Sequence, residues 1–266
     1  GYLQTQGSFS GPISETLAGR ISAYRTEDDG YVKNIHNGDD LNGGKRQGFR
    51  TQLLFKPSET FNLRWIGEYN EEDSNNGILS LYSTGPTING VNRYESLANQ
   101  AGATLVSGKD RKVNFDADQQ VTVFQGGTSV EANWTLPNDF TLTSISAYRW
   151  WDFTPRNDDE LNVHVMHNVG QSARDQQYSQ ELRLASPKGE FLEYVGGLFY
   201  MHGKDDETYQ RTLTTPTSSN RGIADYSTTN DSYAVFGEST LNFTSDFRGI
   251  AGLRFTHDEL EYDHRR

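Results

Sequence analysis

The sequence contains no cysteine and only two methionines among its 266 residues. Disulfides, thiolate nucleophiles and cysteine-based zinc sites are therefore excluded. No apolar run approaches the roughly 20 residues that a membrane helix needs. Basic character is missing as well: 24 Lys and Arg stand against 36 Asp and Glu, a net charge of -12. Nucleic acid, which demands a basic surface, is excluded as a partner. Hydrophobic residues reach only 33% and mean hydropathy is -0.76, yet 12% of residues are aromatic and 26 are glycine. Disordered chains are poor in aromatics. A barrel in which only alternate strand residues meet lipid reconciles these figures.

What is present reads most clearly from Tyr178 to Tyr200. Tyr178, Gln180, Leu182 and Leu184 alternate with Ser179, Glu181, Arg183 and Ala185. Ser186-Pro187-Lys188-Gly189 then breaks the run with turn chemistry, and Leu192, Tyr194, Gly196, Leu198 and Tyr200 share one face of the next run. Period-two alternation on both sides of a short turn predicts two antiparallel strands. The same unit recurs around Pro12, Pro57, Pro137 and the Ser245-Asp246 turn, giving five hairpins and roughly ten strands. The second of them is the cleanest: Phe61, Leu63, Trp65, Gly67 and Tyr69 face one way, with Asn62, Arg64, Glu68 and Asn70 opposite. Trp150 and Trp151 are adjacent and must point to opposite faces.

Between hairpins run long polar connections, expected over about 27–46, 71–118, 154–175 and 203–230. A short helix is expected in the second, from Tyr94 to Ala103. Such lengths are uncommon inside compact soluble domains. Short turns at one end and long loops at the other are the asymmetry of outer-membrane barrels. The whole of 1–266 reads as one partial barrel domain. Gly1, without a leader or an initiating methionine, and His264-Arg265-Arg266 both read as cuts through a longer protein.

The stretches GSFSGPISETLAGRISAYRTEDDGYVKN, GFRTQLLFKPSETFNLRWIGEYNEED, QYSQELRLASPKGEFLEYVGGLFY and SYAVFGESTLNFTSDFRGIAGLRFTHD resemble barrel hairpins of the TonB-dependent outer-membrane receptors. The resemblance implies an all-β fold, an antiparallel transmembrane barrel in which this chain supplies about ten of 22 strands. Its short turns would be periplasmic and its long loops extracellular. It implies a transporter, not an enzyme, with no cofactor, in the outer membrane of a Gram-negative bacterium. The cargo implied is an iron-siderophore complex, with a vitamin or carbohydrate as the alternative. Partners implied are outer-membrane lipid, lipopolysaccharide and the TonB–ExbB–ExbD complex, the last through an N-terminal region that this chain lacks. The plug and the later strands are also missing from it. A ten-stranded barrel protease and a soluble β lectin or adhesin are the other classes weighed.

Candidate site residues follow from position. Tyr82, Tyr94, Trp151 and Tyr209 lie on the loop side, where aromatics stack on flat ligands. His164 and His167, three apart, are ligand candidates in the loop after Thr154, without an accompanying metal motif. Arg64, Glu68, Glu181, Arg183, Glu238 and Arg254 fall on the polar face of their strands and are expected to face the lumen. A cationic lumen would steer anionic chelates; mutual Arg–Glu pairing is the plainer reading. The acidic groups Asp28-Asp29, Asp39-Asp40, Asp158-Asp159-Glu160 and Asp205-Asp206-Glu207 are expected in long loops. They are read as solvated, with Ca²⁺ as the alternative. No metal site is assigned.

Overall fold

The computed structural model describes residues 1–100, 102–158, 167–215 and 218–266. Ten strands form one antiparallel sheet in which chain neighbours pair with chain neighbours. They are β1 (Tyr2–Pro12), β2 (Leu17–Asp28), β5 (Gly44–Ser58), β6 (Phe61–Ser74), β8 (Gln120–Thr135), β9 (Thr141–Asp158), β10 (His167–Ala185), β11 (Leu192–Thr215), β12 (Ser218–Asn242) and β13 (Arg248–Arg265). Between β2 and β5 lie β3 (Val32–Asn34) and β4 (Asp40–Leu41). Helix α1 (Arg93–Gln100) and β7 (Lys112–Val113) lie between β6 and β8.

The alternation that predicts the strands also sets their register. Leu17, Phe55, Leu63, Ala132, Ser144, Leu182, Leu198, Val235 and Phe255 sit opposite one another across nine strands. Directly opposed residues share a face, so this row belongs to one apolar surface. The next row on that surface holds Leu53, Trp65, Val130, Tyr200 and Tyr233. Leu198, Val235, Phe255 and Leu253 are 52% to 83% exposed. The protein itself does not bury them. Trp65 reaches over its own strand: its Nε1 donates to Thr128 Oγ1 at 2.8 Å, and a Cβ on Gly67 would lie 2.8 Å from its ring. Glycine is required there by the ring, and Gly189 is required in its turn by φ +86°.

The opposite face is polar, and its charges pair. Glu68 receives Arg50 at 3.1 Å and Arg149 at 2.5 Å, Arg64 reaches Glu131 at 2.5 Å, and Arg183 bonds Glu181. Arg254 lies 5.3 Å over the Phe199 ring and 5.5 Å over that of Phe236.

Two connections depart from the expectation of plain polar loops. Segments 28–44 and 74–120 fold together over the loop end of the sheet. There β3 pairs antiparallel with β4 and parallel with β7. Leu41, Val113 and Phe115 form a buried cluster, with Val32 and Ile78 packed against it. Asn34 acts as a substitute peptide group: its Nδ2 donates to Phe115 O at 2.9 Å and its Oδ1 accepts from Phe115 N at 3.0 Å. The expected helix at 94–103 is α1, one residue earlier at its start and ending at Gln100.

A second departure concerns strand length. The loops expected over 154–175 and 203–230 are largely strand, because β9, β10, β11 and β12 run past the aromatic rows. Asp205, Asp206 and Glu207 therefore lie on β11 and alternate faces, contrary to their expected place in a loop. Tyr209 is likewise a strand residue. Both faces of these extensions are polar, which is why hydrophobic alternation gave no sign of them.

Candidate functional site

The polar face at the loop end of the sheet carries aromatic rings and carboxylates together. Adjacent Trp150 and Trp151 do point to opposite faces. Trp150 lies 6.0 Å from Tyr69 on the apolar side, and Trp151 stacks on Phe153 at 5.3 Å with ring planes 9° apart. Across the strands, Trp151 is level with Asp175, Asp205, Thr228 and Tyr262. Phe153 is level with Ala173, Glu207 and Tyr226. Tyr226 and Tyr262 are 6.4 Å apart.

The carboxylates of this patch crowd one another beyond the aromatic rows. Burial, then hydrogen bonding with Glu207, raises the Asp205 carboxyl to about 7. Burial also raises Asp175. Burial and the neighbouring Glu207 push the Tyr226 hydroxyl up to about 12. The result is a strip of rings, hydroxyls and carboxyls on one face of the sheet. It offers flat stacking surfaces and oxygen acceptors, and its two tyrosines can donate.

The remaining sequence candidates are dispersed. Tyr82 stands on the long 74–120 connection, 80% exposed, with Lys109 Nζ 5.0 Å over its ring. Tyr94 belongs to α1. Tyr209 lies above the strip on the same face of β11, opposite Gln171 and Ala224. His164 and the side chain of His167 lie outside the described residues, as do Asp159 and Glu160. Arg64, Glu68, Glu181, Arg183, Glu238 and Arg254 all fall on the polar face by register. Of the aromatic candidates, only Trp151 is in the strip. Sequence reading missed Phe153, Tyr226 and Tyr262; the i, i+2 pairing of Trp151 with Phe153 was the available signal.

Asp158, at the end of β9, joins the strand to the cap. It is 1% exposed, and its Oδ2 accepts the Asp116 and Ala117 amides at 3.1 Å each. Burial raises this carboxyl to about 7. A folded value above the unfolded 3.8 favours the protonated folded form. The cap should therefore gain stability as pH falls from above 7 towards 4 and should lose it on the way back. Hydrogen exchange of the Asp116 and Ala117 amides, corrected for intrinsic rate, should show more protection at about pH 6 than at about pH 8. Asp158→Asn should flatten that difference.

No protein-family model matches the sequence, and no curated protein matches it. Solved structures do. The ferric yersiniabactin uptake receptor FyuA from Yersinia pestis aligns with a TM-score of 0.73 at 18% identity, over 98% of this chain and 37% of its own. The ferric-catecholate import receptor Fiu from E. coli aligns at 0.67 and 11%, over 98% of this chain and 43% of its own. The ferripyoverdine receptor of the outer membrane of Pseudomonas aeruginosa aligns at 0.66 and 13%, over 98% and 36%. All three are transport receptors. The chain spans well under half the length of each. At these identities the likeness is one of fold: this sheet has the curvature and strand order of an outer-membrane barrel wall.

Proposed function

We propose that this chain is part of the barrel wall of a TonB-energised receptor that imports ferric siderophore complexes across the outer membrane of a Gram-negative bacterium. The observation that carries the reading is the sheet itself: ten strands, apolar on one face and ion-paired on the other, aligned over 98% of their length with a ferric siderophore uptake receptor. On this reading the Leu198 face meets lipid and lipopolysaccharide, and the Arg64–Glu131 face lines the lumen. The prolyl turns lie in the periplasm and the cap lies outside the cell. Among the described residues β1 pairs only with β2, and β13 only with β12. Backbone groups at such edges are costly in lipid unless paired, which supports further strands on either side. Coupling to TonB–ExbB–ExbD would reside in other parts of the protein.

The strip around Trp151 is the wall's contribution to cargo binding. The paired state of the arginines favours a structural role for them over a free cationic lining. Deletion of the gene for the full-length protein should abolish uptake of one ferric siderophore under iron limitation, with restoration in trans. Unchanged uptake of every ferric chelate, with loss of a vitamin or an oligosaccharide, would transfer the reading to that cargo. Trp151→Ala in the full-length protein should weaken cargo binding roughly three- to tenfold, read by fluorescence titration, with the barrel intact.

A further inference from the structure

Four Asn-Gly dipeptides occur in the sequence, at 37–38, 42–43, 76–77 and 89–90. Glycine has no side chain to shield its own nitrogen, so an asparagine before it is open to attack on its carboxamide. All four pairs fall in the two long segments of the cap. What separates them is how the fold holds the two reacting groups.

Three are tethered. Gly38 N donates to Asn34 O at 2.9 Å, and the Asn37 carboxamide donates to Asp39 at 2.7 Å and accepts from its amide at 3.0 Å. Gly43 is buried and its N–H donates to Asn75 Oδ1 at 2.8 Å, while Asn42 Nδ2 donates to the Tyr31 hydroxyl. Asn76 is half-buried, and its Nδ2 donates to Glu72 Oε1 at 3.4 Å.

The fourth is not. Asn89 and Gly90 form the turn between Ile88 and Val91, which exchange both backbone hydrogen bonds at 3.0 Å. Their φ angles, 51° and 77°, are those a tight hairpin turn of this kind requires. Both are exposed, and nothing lies within 4 Å of where a Cβ on Gly90 would stand. Among the described residues, no hydrogen bond holds the Asn89 carboxamide or the Gly90 amide. The bridge stands outside every named strand, so the turn opens at little cost.

We propose that Asn89 is the residue of this chain that deamidates spontaneously. The deprotonated Gly90 nitrogen attacks Asn89 Cγ, the Cγ–Nδ2 bond breaks and ammonia leaves, closing a succinimide ring. Water then opens either carbonyl of the ring, giving aspartate or isoaspartate. Either product adds a negative charge at the tip of the turn. Isoaspartate also routes the main chain through the side-chain methylene, which removes the Ile88–Val91 register. The inference concerns the cap surface and stands apart from the uptake reading.

The test ages the detergent-purified full-length protein in mildly alkaline buffer and maps it by peptide mass spectrometry. Conversion at Asn89 should run at least about tenfold faster than at Asn37, Asn42 or Asn76. In urea, where the tethers are gone, the four sites should react within about threefold of one another. An equal or greater rate at any of the other three in the folded protein would overturn the proposal, as would an unmodified Asn89. The same lead for Asn89 in urea would overturn it too, because the cause would then lie in the sequence and not in the fold.

Discussion

Leu198→Arg in the full-length protein is expected to block stable insertion, whereas Ser179→Arg, one face over, is expected to be tolerated. Leu198 lies between Leu182 and Val235 in the middle of the apolar rows. Tyr194 and Tyr200 lie on the same face of β11 and flank its apolar stretch. Leu198 is 58% exposed, so this chain does not cover it. A charged residue facing hydrocarbon costs about 2–4 kcal/mol near the bilayer midplane and about 0–1 kcal/mol near the interface. Ser179 lies on the opposite face, in a row with Ile66, Ser129, Ala147, Met201 and Ser232, and two residues from Glu181 on that face, so an added arginine has a carboxylate within reach. Urea titration in lipid vesicles would measure the two costs. Equal destabilisation by both substitutions, or a larger effect at Ser179, would reverse the assignment of faces and remove the membrane reading.

This contrast explains how much was legible in the sequence. Within the alternating part of each strand every second residue is apolar, so Leu182, Leu184, Leu198 and Tyr200 announce both strand and face. Turns are equally open, because Pro187 and Gly189 have few other uses. Beyond the aromatic rows that constraint ends. On β11, Asp205, Asp206, Glu207 and Thr208 are all polar, and nothing in the pattern separates a solvated strand from a loop. The candidate strip was half visible for the same reason. Trp151 stands out as a large ring beside Trp150. Tyr226 joins it only through a register running across β10 and β11, and no local signal encodes such a register. The cap was hidden more deeply. Its parallel pairing joins Asn34 to Val113 across a long separation in sequence, and its cluster draws single apolar residues from two polar segments.

The depth of that concealment makes the cap the second place where a large effect is expected. Phe115→Ala should release the cap and leave the wall standing. Phe115 is fully buried, against Leu41 and Val113. Removing a buried phenyl ring costs about 3–5 kcal/mol. The cluster is small, so little remains to hold β3, β4 and β7 together once the ring is gone. The two hydrogen bonds between Asn34 and the Phe115 backbone would be exposed to water as the segment opens, and the Asp158 clamp on Asp116 and Ala117 would open with them. Hydrogen exchange should therefore rise together at Lys33, Ile35 and Ala117, whose amides are held within the cap. Limited proteolysis should nick segments 28–44 and 74–120. The β10–β11 amides should keep their protection, because that ladder takes no bonds from the cap. Loss of protection in both regions would make cap and wall one cooperative unit. Retained protection in the cap would mean that its strand pairings, and not the Phe115 cluster, hold the two long segments over the sheet.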